Sequence, residues 1–249
     1  MKIRIKFAKY GSMKFIGHLD VMRFFQKAIR RADIDIKYST GFSPHQIMSF
    51  AAPLGVGIES TGEYLDIEVN SITSPLEMKD ALNKVMVEGM EILAVTVLPD
   101  DSKNAMASVA AAEYRITCHL DNAGERSDEN VMIDDLKKKL SDFYQNEHIF
   151  VTKTTKKSVL ELDLKPGIYS LDVLSPQDAA VSAGASFVIT MLVNASSSGN
   201  IKPSMVLEAF CTYAQISLPP SSYQIMRVDT YTNLAKEGEE PRFVPLNLL

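Results

Sequence analysis

The hydropathy of this chain runs through the same order of periods twice, and that repetition limits the folds open to it. Residues 2–8 alternate apolar and cationic side chains, Ile3, Ile5 and Phe7 against Lys2, Arg4 and Lys6, as a strand with two unlike faces does. Residues 18–32 switch to helical spacing, with Leu19, Met22, Phe25, Ile29 and Ala32 on the stripe expected to be buried. Ile34, Ile36 and Tyr38 predict a short second strand, and 46–52 and 63–69 two further extended segments. Between these lies the turn Pro53-Leu54-Gly55-Val56-Gly57. Ser74-Pro75-Leu76-Glu77 then opens a second helix, with a serine cap, a proline in the first turn and a glutamate completing a capping box. Gly89 ends that helix and 91–98 returns to strand character.

After a polar stretch the order restarts. Residues 113–120 predict a strand, and 130–143 a helix that turns Ile133, Leu136, Leu140 and Phe143 inward. Strands follow near 149–155, 158–164, 168–174 and 185–193, then a helix over 202–214 and a last strand over 223–231. The fold class expected is α+β, two tandem ferredoxin-like (split βαβ) domains. The basic N-terminal domain covers 1–98, a linker 99–109, the C-terminal domain 110–232 and a loosely held tail 233–249.

Charge is distributed unevenly. The net charge is −5, yet residues 1–45 hold ten lysines and arginines against Asp20, Asp33 and Asp35. A basic first fifth on an acidic body can steer an anionic partner. The two cysteines, Cys118 and Cys211, have no metal or redox spacing, which fits a reducing, cytoplasmic home. The N-terminus is not a signal peptide, and no apolar run approaches a membrane span.

No catalytic template is met. The chain has no dinucleotide fingerprint, Walker sequence, zincin motif or iron–sulfur cysteine cluster, and no cofactor is expected. What stands out is the first helix. Asp20, Arg23, Lys27 and Arg30 recur at steps of three and four, and Arg31 follows. Such a face is either solvated helix surface, with Asp20 and Arg23 paired, or a cationic docking surface. If 34–38 lies parallel beside the first strand, the loop after it emerges at the start of this helix. Lys9, Lys14 and His18 then meet Ser43 and His45 there, around Gly41, Phe42 and Pro44, beside free helix N–H groups. The arrangement suits an anion. His18, Asp20 and His45 are also the residues that could ligate a metal or serve as acid and base, and the residue pattern does not choose among these roles.

The blocks Gly17-His18-Leu19-Asp20-x-x-Arg23, Arg30-Arg31-Ala32, Tyr38-Ser39-x-Gly41-Phe42-Ser43-Pro44-His45, Pro53-Leu54-x-x-Gly57, Ser60 and Glu63-Tyr64 resemble the radical SAM-linked domain family. That bacterial family is found beside, or fused to, radical SAM proteins with a cobalamin-binding-type region. The resemblance implies such a protein as partner, with the chemistry on the partner; joined to the basic N-terminal lobe, it makes an RNA, tRNA or rRNA, the substrate expected to be presented. The expected function is therefore a non-catalytic accessory protein binding RNA through a basic N-terminal lobe. The alternatives are a pure protein–protein module for that enzyme, or an endonuclease-like hydrolase using His18, Asp20 and His45.

Overall fold

A computed structural model describes residues 1–120, 129–154, 159–181, 184–236 and 238–248. In chain order the elements are β1 (Lys2–Lys9), α1 (His18–Arg31), β2 (Met48–Phe50), β3 (Glu59–Glu68), α2 (Pro75–Asn83) and β4 (Met90–Leu98). Then come α3 (Ala105–Ser108), β5 (Ala111–Cys118), α4 (Glu129–Gln145), β6 (Phe150–Thr154), β7 (Val159–Asp163) and β8 (Ile168–Leu174). The last are β9 (Phe187–Asn194), α5 (Pro203–Ala214), β10 (Tyr223–Asn233) and β11 (Phe243–Pro245). The chain mixes helices with β-sheet and divides into two compact units. One is Met1–Ala111 with Arg227–Leu249, the other Ala112–Met226. Residues 155, 158, 237 and 249 of the expected strands and tail lie outside the described residues.

In the first unit β1 is the central strand, antiparallel to β3 on one side and to β4 on the other. Strand β3 is long enough to take β2 against its second half. Its first half takes the later part of β10, where Thr61 Oγ1 donates to Val228 O at 2.9 Å and Thr230 Oγ1 to Gly62 O at 2.8 Å. One sheet face carries Ile3, Ile5, Phe7, Leu65 and Ile67 against Val21, Phe25, Ile29 and Leu82, all buried. Leu19, expected on that stripe, is exposed, and Val21 and Ala28 are buried instead. The stripe is rotated slightly from the predicted one at the first turn of α1. Ser74 caps α2 as predicted, its Oγ accepting the Glu77 N–H at 3.1 Å.

The opposite face is polar and covered. Arg4 is fully buried and pairs through two nitrogens with Asp66, at 2.8 and 2.9 Å. Lys6 reaches Asp229 at 2.6 Å, and Asp229 also accepts the Tyr64 hydroxyl at 2.6 Å. Burial, then this bond to Asp229, pushes the Tyr64 pKa well above the ordinary phenol range. Residues 99–109, where a linker is expected, include α3, capped by Asn104, and hang on Asp66 through the Ala105 N–H at 2.6 Å. The expected loose tail is also built in. Strand β11 pairs with β10, Leu246 is fully buried, and its carbonyl accepts from Arg4 at 3.1 Å.

The predicted strand over 34–38 is corrected. Among the described residues it makes two isolated bridges, Ile36 with Val69 and Tyr38 with Gln46, and the second strand is β2. Asp33 adopts φ +54°, a left-handed turn just past the helix, so the chain leaves α1 sharply instead of extending at once.

In the second unit β9 lies between β5 and β8, antiparallel to β8, and the start of β10 lies by β5, the His119 N–H donating to Ser222 O at 2.8 Å. Ile133, Leu136, Leu140 and Phe143 of α4 are buried as their spacing predicts. Phe143 meets Phe210 of α5 with ring centroids 5.7 Å apart. Strands β6 and β7 form a separate two-stranded hairpin.

Candidate functional site

The 38–46 loop is a closed, self-bonded turn. The Ser39 N–H donates to His45 O at 2.8 Å, the His45 N–H donates to Ser39 Oγ at 3.1 Å, and Ser39 Oγ lies 2.9 Å from His45 Nδ1. His45 therefore clasps the loop shut. Gly41, at φ +116°, makes the tight tip that other residues rarely adopt. The tip presents Phe42 fully to solvent, followed by exposed Ser43 and Pro44, and Tyr38 is half-exposed at its base.

The loop meets α1 in its middle, not at its start. Gln46 Nε2 donates to Gln26 O at 3.3 Å. Gln26 is eight residues past His18, roughly 12 Å along the helix. His18 faces another neighbour, its ring edge-on to Phe50 at 5.1 Å. That contact ties the base of the loop to the middle of α1, the helix that carries Arg23, Lys27 and Arg30. Arg23 pairs loosely with Asp20 at 3.5 Å, both exposed. Arg30 Nε caps Gln26 O at 3.2 Å. Lys27, Arg30 and Arg31 are exposed and make no ion pair among the described residues.

Other cations of the basic first fifth are already committed. Arg4 and Lys6 are sequestered as described, Lys14 pairs with Glu59 at 3.2 Å and Lys37 with Glu68 at 3.1 Å. Sequence counting missed this, because each acid lies more than thirty residues away from its cation. The cationic surface is consequently the outer face of α1, narrower than the charge count suggests.

At the start of α1 a different set converges. Lys9, His18, Phe50, Pro53, Leu54 and Glu63 line one cavity of about 10 Å³, room for a single water. Lys9 is buried, and its ammonium donates to Ile16 O at 3.3 Å. Burial lowers the Lys9 pKa, opposed by Glu63 and reinforced by Arg227. Glu63 is held by Arg227 at 2.9 Å and by the Ser60 hydroxyl at 2.8 Å. The 53–57 turn returns to this end, Gly57 (φ +86°) donating its N–H to Lys14 O at 2.8 Å, with Gly55 exposed beside it. The sequence signal for this cluster was present in Pro53, Leu54, Ser60 and Glu63, but nothing in their spacing ties them to Lys9 and His18. Among the described residues no group of three or more histidines, cysteines or carboxylates is placed to hold a metal. None of the helices there is long and apolar enough to cross a membrane.

A family model described as "Uncharacterized protein conserved in bacteria (DUF2344)" matches residues 2–203. No curated protein matches the chain.

Proposed function

The chain belongs to this uncharacterized bacterial family, and we propose that it works as a non-catalytic accessory protein that binds RNA through the outer face of α1 and the 38–46 loop. One observation carries the reading. A fully exposed phenylalanine, Phe42, stands on a loop tied to the helix that bears Lys27, Arg30 and Arg31. Aromatic faces beside cations are what unstacked bases and their phosphates require. Monomeric proteins gain nothing from a bare ring at a loop tip, where it contributes no burial to the fold.

On the resemblance set out above, the partner is a radical SAM protein with a cobalamin-binding-type region, the RNA is tRNA or rRNA, and the setting is cytoplasmic. Two buried free thiols accord with a reducing compartment. The order β4-β1-β3-β2 in the first unit and the succession β5-β9-β8 in the second support a split βαβ plan for each.

The test is fluorescence anisotropy with a labelled twelve-nucleotide single-stranded RNA, titrated from low to physiological salt. Affinity falls with salt, by a slope of about −0.7 per phosphate neutralised. Lys27→Ala and Arg30→Ala each flatten that slope by roughly this amount. Phe42→Ala weakens binding by about 1–3 kcal/mol and leaves the slope alone. Absence of binding at the lowest salt, or a Phe42→Ala protein that binds as wild type does, overturns the reading.

A further inference from the structure

Neither edge of the β6–β7 hairpin takes a further strand among the described residues, and the β6 edge borders a groove. Among the described residues β6 pairs with β7 and with no other strand. The Leu164 N–H donates to Ile149 O at 2.9 Å, and in an antiparallel ladder the residues bonded to the partner strand alternate. Val151 therefore turns its backbone groups toward β7, and Phe150 and Thr152 turn theirs outward. Phe150, Val151 and Thr152 all border a groove of about 530 Å³. Successive side chains point to opposite faces, so three consecutive residues on one groove mean that the strand's edge lines it.

The rest of the groove mixes polar lining, Asn146, His148, Glu208 and Thr212, with apolar side chains. Phe143 of α4 and Met205 and Ala209 of α5 line it, and Tyr213 and Phe150 are about half-exposed. Phe143 and Tyr213 stand with ring centroids 5.5 Å apart. Its one exposed carboxylate is Glu208, while His148 is held by Asp163 at 2.8 Å and stacks on Phe150 at 5.2 Å. Natural sheets guard open edges with proline, lysine or a bulge; β6 carries one such guard, Lys153, and Phe150, Val151 and Thr152 leave the groove end of the edge without one.

We propose that this groove takes an extended peptide segment of a partner protein, added as a strand along the open edge of β6. The peptide's backbone pairs with Phe150 and Thr152, an apolar side chain enters between Phe143 and Met205, and a lysine or arginine meets Glu208. A second copy of this chain is the less suitable occupant. A five-residue edge spans about 17 Å, too short to supply the ~1,200 Å² that stable association of two folded proteins needs. A peptide needs no more than the edge and the pocket. The proposal is independent of RNA binding, which uses the other unit.

The experiment selects a displayed library of random twelve-residue peptides on the full-length protein and titrates the synthetic winners by fluorescence polarisation. Winners are expected to share an apolar residue near a lysine or arginine. Thr152→Pro removes an outward N–H at a position where an edge strand tolerates proline, and should weaken them at least tenfold with the fold intact by circular dichroism. Glu208→Lys, an exposed helix substitution, should weaken them about tenfold, which keeps the test decisive if Thr152→Pro misfolds. Winners without a shared pattern, or unaffected by Glu208→Lys or by a folded Thr152→Pro, overturn the proposal. So does concentration-dependent dimerisation of the wild type that Thr152→Pro abolishes, since the occupant is then a second copy.

Discussion

Replacing Arg4 with methionine keeps an unbranched apolar stem and removes the guanidinium. That group makes four hydrogen bonds from a fully buried position: two to Asp66, one to Leu246 O at 3.1 Å and one to Lys103 O at 3.3 Å. Asp66 is left with the Ala105 N–H as its remaining donor among these contacts, with little of its side chain exposed. Removing one member of a buried ion pair costs about 3–5 kcal/mol, because the other charge stays desolvated. For a chain of this size that lowers Tm by roughly 6–20 °C. The double variant Arg4→Met/Asp66→Leu removes both charges and leaves the Ala105 N–H without an acceptor, a penalty of about 1–3 kcal/mol. It should thus be more stable than the single variant. Urea unfolding followed by far-UV circular dichroism measures both, and native-state hydrogen exchange at the β3 amides reads the first unit alone. A single variant within 1 kcal/mol of wild type, or a double variant no better than the single, would refute the account of this buried layer. On the proposed function, the folded Arg4→Met protein should bind RNA as wild type does, because Arg4 is buried away from the outer face of α1.

Gly62→Ala should be more damaging than its size suggests: an added Cβ would stand 2.2 Å from Asp229 Cα and 2.8 Å from Asp229 N and Val228 O. Strands β3 and β10 would have to part, and thermal unfolding should show a loss of at least about 1–3 kcal/mol; an unchanged Tm would count against this close approach. The β6–β7 hairpin should loosen in acid. The His148 ring, then the N–H groups of Ile149 and Lys165, hold the Asp163 carboxyl below its usual range. A carboxylate depressed in the folded state stabilises fully above its unfolded pKa, about 3.9, and that support is lost as pH falls through the folded value. Amide protection at Ile149 should drop over that acid interval, and Asp163→Asn should show the same loss at neutral pH; protection that persists in both cases contradicts the clamp.

The parts of the fold visible in the sequence are those set by local period. Ile3, Ile5 and Phe7 announce a core-facing strand side, and Ile133, Leu136, Leu140 and Phe143 a core-facing helix side, because spacing alone puts each set on one face. The other face of β1 illustrates the boundary of such reading. Arg4 and Lys6 have the spacing of solvent-facing residues, yet Asp66, Asp229 and the Leu246 carbonyl cover them. A two-residue period says that the faces differ, and is silent on a segment more than two hundred residues later that lies over one of them. The 39–46 loop raises a related difficulty. Placing it at the start of α1 depended on 34–38 being a sheet strand, and those residues make only two isolated bridges among the described residues. Lys27, Arg30, Phe42 and Tyr38 were legible as individual residues, but the side-chain contact that joins their two segments, Gln46 to Gln26, was not.

The first unit is completed by residues 227–249, whereas the second is drawn from one uninterrupted stretch, 112–226. During translation the second can therefore finish folding while Lys6 and Tyr64 still wait for Asp229 and Asn247, and Arg4 for the Leu246 carbonyl. At about 5–20 residues per second, the 115 residues from Ala112 to Met226 impose a delay of several seconds or more. For that interval Lys6 is without its acid, although Arg4, Lys14 and Lys37 already have Asp66, Glu59 and Glu68, and a chaperone or a nucleic acid could meet it before Asp229 does.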